Sequence, residues 1–362
     1  MAPSRRHRGG SVLDRGARVP SVPRGEIGIG SWLMSCRAGS ERDLIEELAS
    51  RRQRIDAWSP EPGLVVAPSV PRNGAGRVVV CFARQIFRVR TIVGVSEELL
   101  FGKVAKAATR DVSDDRPCAI SCWTLDSPEG NRHARVATAL ERHVRAELPK
   151  LKEPHELRYT DGILLSALVL DRTRVIVGSV KAADALSLAP GGRARMKSPE
   201  GAPARSARKL EEAFQWLGHA PEAGEICVDL GAAPGGWTKV LLERRARVIA
   251  VDPGKLTPEI ANDRRVRCFR GSAFNFEPEE PVDWLFCDMV WRPLEVAELL
   301  AKWGRRRWAQ SLVANIKLPM KQKVAILARV DQTLEQGGWT DIRMRQLYHD
   351  RDEVTVTATR AG

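Results

Sequence analysis

An acidic residue followed by a glycine-rich turn has the residue types and spacing of a ligand-binding loop. The stretch Cys227–Thr238 reads CVDLGAAPGGWT, an apolar run that ends in an aspartate and continues into glycine, alanine and proline. Glycines lack Cβ atoms, so backbone can lie against a ligand, and a helix that follows points its first N–H groups at an anionic group. The spacing D-x-G-x-x-P-G-G is typical of a sulfonium cofactor, whereas G-x-G-x-x-G is typical of a pyrophosphate. The loop therefore predicts methyl transfer from S-adenosyl-L-methionine rather than hydride transfer.

Each acidic residue near this loop has an expected role. Asp229 can meet the cationic amine of the cofactor, while the helix starting near Trp237 faces its carboxylate. Asp252 ends the second strand, at the position where an acidic residue grips ribose hydroxyls. The cofactor contacts expected from the loop and this strand are Asp229, Gly231, Ala233, Pro234, Gly235, Gly236, Trp237 and Asp252.

The elements around the loop alternate in the manner of a doubly wound α/β sheet. After a helix at Lys209–Leu217, the expected strands are Ile226–Leu230, Val248–Val251, Val266–Phe269, Trp284–Cys287 and Leu312–Ile316. The expected helices lie at Thr238–Arg245, Leu294–Trp308 and Lys321–Glu335. Two final strands, Ile342–Leu347 and Val354–Thr359, have too short a connection for a parallel crossover and must be antiparallel. A mostly parallel sheet with an antiparallel last strand is the Rossmann-like class I methyltransferase arrangement.

The rest of the chain divides by composition. Residues 1–30 are basic and rich in Pro, Gly and Ser, as in a disordered tail, although a transit peptide has a similar composition. Residues 31–72 form one small α/β unit and residues 73–188 another, with a β-rich run at Arg77–Ala83 and a helix at Asn131–Leu148. Residues 189–208 are a basic Pro/Gly linker, either a solvated hinge or an RNA-contacting segment, before the domain at 209–362.

Composition favours a nucleic-acid partner. The 362 residues carry a net charge of +13, with a pI near 9.8. Such a balance is typical of proteins that bind RNA or DNA, although solubility or the arginine bias of a GC-rich genome has the same effect. Seven cysteines without Cys-x-x-Cys or paired Cys/His spacing predict no structural metal and a reducing cytoplasm. The apolar runs are too short to span a membrane, so we expect no membrane partner.

Several motifs together resemble the RNA 2′-O-ribose methyltransferase family, and within it the bacterial 23S rRNA cytidine methyltransferases that carry an N-terminal THUMP domain. These motifs are CFARQIFR at Cys81–Arg88, SARKLEEAF at Ser206–Phe214, VDLGAAPGGWT at Val228–Thr238, CDMV at Cys287–Val290, NIKLPM at Asn315–Met320 and QLYHDRDEVTV at Gln346–Val356. The resemblance implies a ferredoxin-like unit at 31–72, a THUMP domain at 73–188, and RNA capture by both. It also implies a target cytidine in the peptidyl-transferase region of 23S rRNA, methylated in a particle that precedes the assembled large subunit.

The resemblance further implies a Lys-Asp-Lys-Glu tetrad at Lys209, Asp288, Lys317 and Glu353. A ribose 2′-hydroxyl is a weak acid, so its methylation needs a positioned base in line with the methyl group. A lysine serves as that base only where burial or a second cation lowers its pKa. By resemblance, Lys317 is the base, Lys209 the neighbouring cation, Asp288 a contact to Lys317 and cofactor, and Glu353 a group that orients the lysines or the ribose.

Two serines and two aromatic residues complete the expected site. Ser206 is a further cofactor contact by resemblance, and Ser272 departs from the family pattern, which has an acidic residue near the adenine. His349 lies near the site as a general base or as a loop hydrogen-bond partner. Trp291 either stacks a base or packs in its loop.

Two other functions remain open from the sequence. One is a THUMP-containing RNA base methyltransferase, although the chain has Asp288-Met289-Val290-Trp291 where amine methylation requires an Asn/Asp-Pro-Pro-aromatic loop. The other is a non-catalytic rRNA-binding assembly factor that keeps the fold. Retention of Lys317 and of the Gly235-Gly236 pair favours an enzyme over such a factor.

Overall fold

The computed structural model describes residues 25–51, 54–110, 112, 115–196 and 204–360. The expected basic tail lies almost wholly outside these residues, as does the 197–203 portion of the expected linker. Within the described ranges, no helix is both long enough and apolar enough to cross a membrane.

The described N-terminal half is built on one seven-stranded sheet. Its elements are β1 (Trp32–Cys36), α1 (Glu41–Ala49), β2 (Trp58–Glu61), β3 (Leu64–Ala67), β4 (Ala83–Gly94), α2 (Glu97–Thr109), β5 (Cys118–Trp123), α3 (Pro128–Arg132), α4 (Ala134–Glu147), β6 (Ile163–Val169) and β7 (Arg174–Lys181). The strand order is β2-β3-β1-β4-β7-β6-β5. The long strand β4 pairs with β1 on one side and β7 on the other, so the strands of the two expected N-terminal units share one sheet. The boundary between those units stays a prediction.

Two local expectations for this half are wrong. The β-rich run Arg77–Ala83 is not a strand, because the N–H groups of Cys81 and Phe82 donate to the buried carboxylate of Glu47 instead of to a neighbouring strand. Strand β4 begins only at Ala83. The helix expected at Asn131–Leu148 is two helices, α3 and α4, which meet at His133.

The C-terminal half contains the expected doubly wound sheet. Its elements are α5 (Ala204–Leu217), β8 (Ile226–Leu230), α6 (Gly236–Glu243), β9 (Arg247–Val251), α7 (Pro258–Ala261), β10 (Val266–Phe269), β11 (Val282–Cys287), α8 (Pro293–Arg305), β12 (Ala309–Lys317), α9 (Lys323–Gln336), β13 (Trp339–Arg345) and β14 (Glu353–Arg360). The order is β10-β9-β8-β11-β12-β14-β13, with β8 to β12 parallel and β14 antiparallel to both its neighbours. The Rossmann-like methyltransferase fold with an antiparallel last strand is thus confirmed.

Helix α5 starts earlier than the sequence predicts. It runs from Ala204, so Lys209 lies within the helix rather than at its start, and the helix overlaps the end of the expected linker. The carboxyl ends of the parallel strands β8, β9, β11 and β12 lie along one edge, where open α/β sheets bind ligands.

The two halves are joined by hydrogen bonds between their backbones and buried side chains. The N–H of Gln346 donates to the carbonyl of Cys81 at 2.9 Å, and the Arg345 guanidinium donates to the carbonyls of Leu186 and Arg84. Burial lowers the pKa of Arg345 to about 10, which still leaves it charged at neutral pH. These contacts lie at the connection between β13 and β14 and fix it against the N-terminal sheet.

We expect Gly304→Ala to destabilise the C-terminal half, because α8 approaches the end of α9 at this glycine. A Cβ at Gly304 would overlap the carbonyl oxygen of Gly337 and lie 2.8 Å from Trp339 Nε1. Such overpacking lowers the free energy of unfolding by about 1–3 kcal/mol. The matched control is Gly102→Ala in α2, where a Cβ would have nothing within 4 Å. There alanine should raise the free energy of unfolding by roughly 0.5–1 kcal/mol. Urea unfolding measures the free energy of unfolding of both variants. Equal stability of the two would contradict the close approach of α8 to the end of α9 at Gly304.

Candidate active site

Two lysines from different elements meet on one glutamate. Lys317 ends β12 and lies directly opposite Glu353, the first residue of β14, in the antiparallel register of the two strands. Helix α5 brings Lys209 to the same carboxylate. Lys209 Nζ lies 2.6 Å from Glu353 Oε1, and Lys317 Nζ lies 3.4 Å from Glu353 Oε2. The carboxylate therefore bridges the two ammonium groups.

Asp288 connects this bridge to the end of β11. Its Oδ1 lies 3.5 Å from Lys209 Nζ and accepts a 3.3 Å hydrogen bond from Asn315 Nδ2, while its Oδ2 accepts one of 3.0 Å from Ser206 Oγ. The structure thus brings all four expected tetrad residues together. It differs from the expected pairing, because the ion pair of Asp288 is with Lys209 rather than Lys317.

The two lysines differ in access to solvent. The side chains of Lys209 and Glu353 are only 8% and 2% exposed, whereas that of Lys317 is 40% exposed. Burial alone would raise the pKa of Glu353, but the charges and hydrogen bonds of Lys209 and Lys317 outweigh it and hold that pKa below its usual value. Burial and the charge of Glu353 raise the pKa of Asp288, against the opposing effect of Lys209. Lys209 is therefore enclosed between two carboxylates, whereas Lys317 is the lysine that solvent can reach.

The glycine-rich loop follows β8 at the same edge of the sheet, and its glycines lie close to neighbouring elements. Gly231 and Gly235 have φ values of +82° and +120°, which L side chains rarely adopt. A Cβ at Gly231 would lie 2.8 Å from Met289, and one at Gly236 would lie 2.9 Å from Ser206. The loop thus packs tightly against the residues that follow β11 and those that begin α5.

Asp229 has a buried oxygen suited to a cationic ligand. Its Oδ2 accepts a 2.7 Å hydrogen bond from Thr238 Oγ1, but its Oδ1 has no hydrogen-bond partner among the described residues. Burial raises the pKa of Asp229 to about 7, with Asp288 and Asp252 adding to the effect and Thr238 opposing it. A buried carboxylate with a free acceptor fits the cationic amine of S-adenosyl-L-methionine.

A cavity of about 300 Å³ lies beside Asp252, a volume in the range of small-ligand sites. The Asp252 carboxylate accepts the N–H of Ala233 at 3.2 Å and the N–H of Gly254 at 2.6 Å, which holds the backbone on both sides of the cavity. The other walls include Ala232, Leu256, Cys268, Phe269 and Arg270. Ser272 accepts the N–H of Phe274 at 3.3 Å and caps a short 3-10 turn. Like all the other expected cofactor contacts, those of Asp252 and Ser272 remain predictions, and the cavity is large enough for a nucleoside-sized group.

The aromatic residues near the site and Cys287 have defined surroundings. His349 Nδ1 lies 2.7 Å from Glu212 Oε2, so its ring is a loop hydrogen-bond partner. Trp237 is buried at the start of α6 and donates to the carbonyl of Ser206 at 3.1 Å, so its expected contact with the cofactor remains a prediction. Cys287 is fully buried in the core. Trp291 is 53% exposed, and its Nε1 donates to Glu295.

Sequence reasoning missed three polar residues that support the site. Asn315 donates to Asp288, Glu212 holds the connection before Glu353, and Asp350 lies buried inside that connection. Glu212, Asn315 and Asp350 lie within the motifs SARKLEEAF, NIKLPM and QLYHDRDEVTV, so a polar residue inside a motif was the signal that the sequence offered.

The fold, the loop and the clustered tetrad define a methyltransferase that uses S-adenosyl-L-methionine. Residues 202–318 match the FtsJ-like methyltransferase family, a range that contains Lys209, Asp288 and Lys317. Proteins called ribosomal RNA large subunit methyltransferase M match nearly the whole chain. That of Alkalilimnicola ehrlichii is 35% identical over 360 residues, covering 91% of this chain and 94% of the relative. Those of Marinomonas sp. and Teredinibacter turnerae are 32% and 36% identical, covering 90% and 88% of this chain and 97% of each relative. The chain belongs to the ribosomal RNA large subunit methyltransferase M family.

We expect Asp229→Asn to stabilise the protein and to weaken its cofactor binding. With a folded pKa near 7 and an unfolded pKa of about 4, the folded state retains a proton that the unfolded state releases. This carboxylate therefore destabilises the fold progressively as pH rises from about 4 to 7, and fully above that. The variant should raise the thermal midpoint more at pH 8 than at pH 5, while calorimetry shows weaker binding of S-adenosyl-L-methionine.

A control with the opposite sign is Asp263→Asn. Hydrogen bonds from Arg265 hold the pKa of Asp263 at about 2, so its carboxylate contributes stability at pH 8 and its loss should not raise the midpoint. Equal midpoint gains for Asp229→Asn at both pH values, or unchanged cofactor affinity, would contradict the role of Asp229.

Proposed function

We propose that the protein methylates the ribose 2′-hydroxyl of a cytidine in the peptidyl-transferase region of 23S rRNA, before the large subunit is fully assembled. The observation that carries the proposal is the pair of lysines bridged by buried Glu353, at the edge of the sheet that also holds the cofactor loop. The relatives' name supports large-subunit ribosomal RNA as the substrate. The cytidine and its position rest on the resemblance of the motifs.

The tetrad has the groups that this reaction needs. When bound, S-adenosyl-L-methionine supplies an electrophilic methyl group on a sulfonium. Lys317, the more exposed lysine, takes the proton of the 2′-hydroxyl on its Nζ in the neutral amine form. Glu353 fixes that Nζ in place, since it is bonded on its other oxygen to Lys209. Alignment of the base with the hydroxyl is thus provided before the substrate arrives.

Lys209 keeps two carboxylates close together in a buried site. Its Nζ lies 2.6 Å from Glu353 and 3.5 Å from Asp288. Without Lys209 between them, the two carboxylates would repel each other.

The N-terminal half offers cations to RNA phosphates. Arg135 and Arg142 of α4 are exposed and seven residues apart, which places them on the same side of the helix. Arg132 of α3 is exposed beside them. Together with the net charge of +13, they support RNA capture by this THUMP-like half and a strong dependence of affinity on salt. A cytoplasmic location remains a prediction from the cysteine pattern.

Two other functions are separated from this proposal by simple measurements. A non-catalytic rRNA-binding assembly factor would bind RNA, and even cofactor, without turnover. A THUMP-containing base methyltransferase would turn over but modify a base. The present site favours ribose methylation because the groups beside the cofactor loop are two lysines and two carboxylates. The nearby Cys287 is fully buried, so its thiol is not placed to act as a nucleophile on a base.

We expect the purified protein to transfer methyl groups to 23S rRNA that lacks this modification, and not to fully modified rRNA. Digestion to nucleosides followed by mass spectrometry should find 2′-O-methylcytidine, and primer extension should map one position. Initial rates at low RNA concentration should fall steeply between 50 and 200 mM salt, because phosphate contacts dominate capture. Methyl groups found on a base, or cofactor binding with no methylated RNA, would contradict the proposed function.

A further inference from the structure

The connection between β13 and β14, residues 346–352, ends at Glu353 and is held from two sides. We propose that Glu212 and Arg84 are positioning residues for methyl transfer, which clamp this connection so that Glu353 keeps both lysines in place. The inference rests on the proposed function, since it needs Glu353 to act in the reaction. It makes the N-terminal half part of the catalytic architecture in addition to its part in RNA capture.

Glu212 clamps the connection from α5. It is buried, its Oε1 accepts the N–H of Tyr348 at 2.7 Å, and its Oε2 accepts the N–H of His349 at 2.9 Å. It lies three residues after Lys209, so both project from neighbouring positions on the same helix face. One helix therefore places Lys209 on Glu353 and Glu212 on the backbone just before Glu353. Because Glu212 binds backbone and an imidazole, it acts on the site through the position of the connection.

Arg84 clamps the same connection from the N-terminal sheet. It lies near the start of β4 and is 3% exposed. Its Nη2 donates to the carbonyl of Tyr348 at 3.3 Å, and its guanidinium lies 5.0 Å from the centre of the Tyr348 ring. Asp126 holds its Nη1 at 2.8 Å. The N–H and the carbonyl of Tyr348 are thus bonded to residues that are distant in the chain, Glu212 and Arg84.

Inside the connection, a third set of contacts leads back to the tetrad. Asp350 is buried, and its Oδ2 accepts the N–H of Leu347 at 2.9 Å and lies 3.0 Å from Thr355 Oγ1. Thr355 Oγ1 lies 2.9 Å from Asn315 Oδ1, and Asn315 in turn donates to Asp288. A shift of the connection would therefore disturb Glu353 directly and Asp288 through two side chains.

The test is a double-mutant cycle on the full-length protein with 23S rRNA as substrate. Glu212→Gln replaces an acceptor of two N–H groups by an amide that can accept one and presents NH₂ to the other. At saturating RNA and cofactor, we expect kcat to fall roughly 10- to 100-fold with cofactor Kd unchanged, as for a displaced catalytic group. Combined with Glu353→Gln, it should lower kcat no further than Glu353→Gln alone, because both act through one carboxylate.

Arg84→Gln supplies the same test from the other side of the interface. It should reproduce the loss of kcat and the same non-additivity with Glu353→Gln. Matched controls are Glu211→Gln, the neighbour in α5 that pairs with Arg244, and Arg88→Gln, an exposed arginine on β4 that donates to Gly30. Both controls should keep the wild-type kcat. If Glu212→Gln also loses cofactor binding through misfolding, Arg84→Gln decides the outcome.

The possible failures are distinguishable. Wild-type kcat in both clamp variants, or losses that multiply with that of Glu353→Gln, would contradict the positioning role while leaving the proposed function intact. Wild-type kcat in Glu353→Gln itself would contradict the role of the tetrad, and this inference with it.

Discussion

The site depends on one buried carboxylate, that of Glu353, shared between Lys209 and Lys317. A buried charge that loses its partner typically costs about 3–5 kcal/mol, so the enclosed pair of Lys209 and Glu353 is the contact that the packing cannot lose. Satisfying it requires α5, β12 and β14 to converge. The antiparallel pairing of β12 with β14 meets this need by placing Lys317 directly opposite Glu353. The reversed last strand of the sheet thus has a chemical consequence as well as a topological one.

The N-terminal and C-terminal halves are linked at the same place. Arg345, the last residue of β13, donates to the carbonyl of Arg84, and the carbonyl of Cys81 accepts the N–H of Gln346. The Arg84 guanidinium donates to the carbonyl of Tyr348 in the connection that follows β13. The cofactor loop shows a related compromise between stability and function. Asp229 is fully buried with one oxygen unbonded to other described residues, which destabilises the fold but leaves an acceptor for a cationic ligand. Binding competence and stability are opposed at that carboxylate.

Local chemistry made the loop, the alternation of strands and helices around it and the antiparallel end of the sheet predictable from sequence. Asp229, Gly235 and the short connection before Glu353 carry that information in a few neighbouring residues. The pairing of Asp288 with Lys209 was not predictable, because it depends on how deep in α5 the lysine lies. The failure at Arg77–Ala83 has the same origin, since distant Glu47 takes the N–H groups that a strand would have used. Long-range polar contacts of this kind leave no periodic pattern in a single sequence.

The most direct test of the account is the single-turnover rate of methyl transfer by Lys317→Met, measured beside its affinity for S-adenosyl-L-methionine. Lys321→Met is the matched control, because Lys321 is an exposed lysine four residues further along, in the connection between β12 and α9. The account predicts that Lys317→Met loses at least about 100-fold in rate while keeping its cofactor affinity, and that the control keeps both. A wild-type rate in Lys317→Met would contradict the assignment of the base.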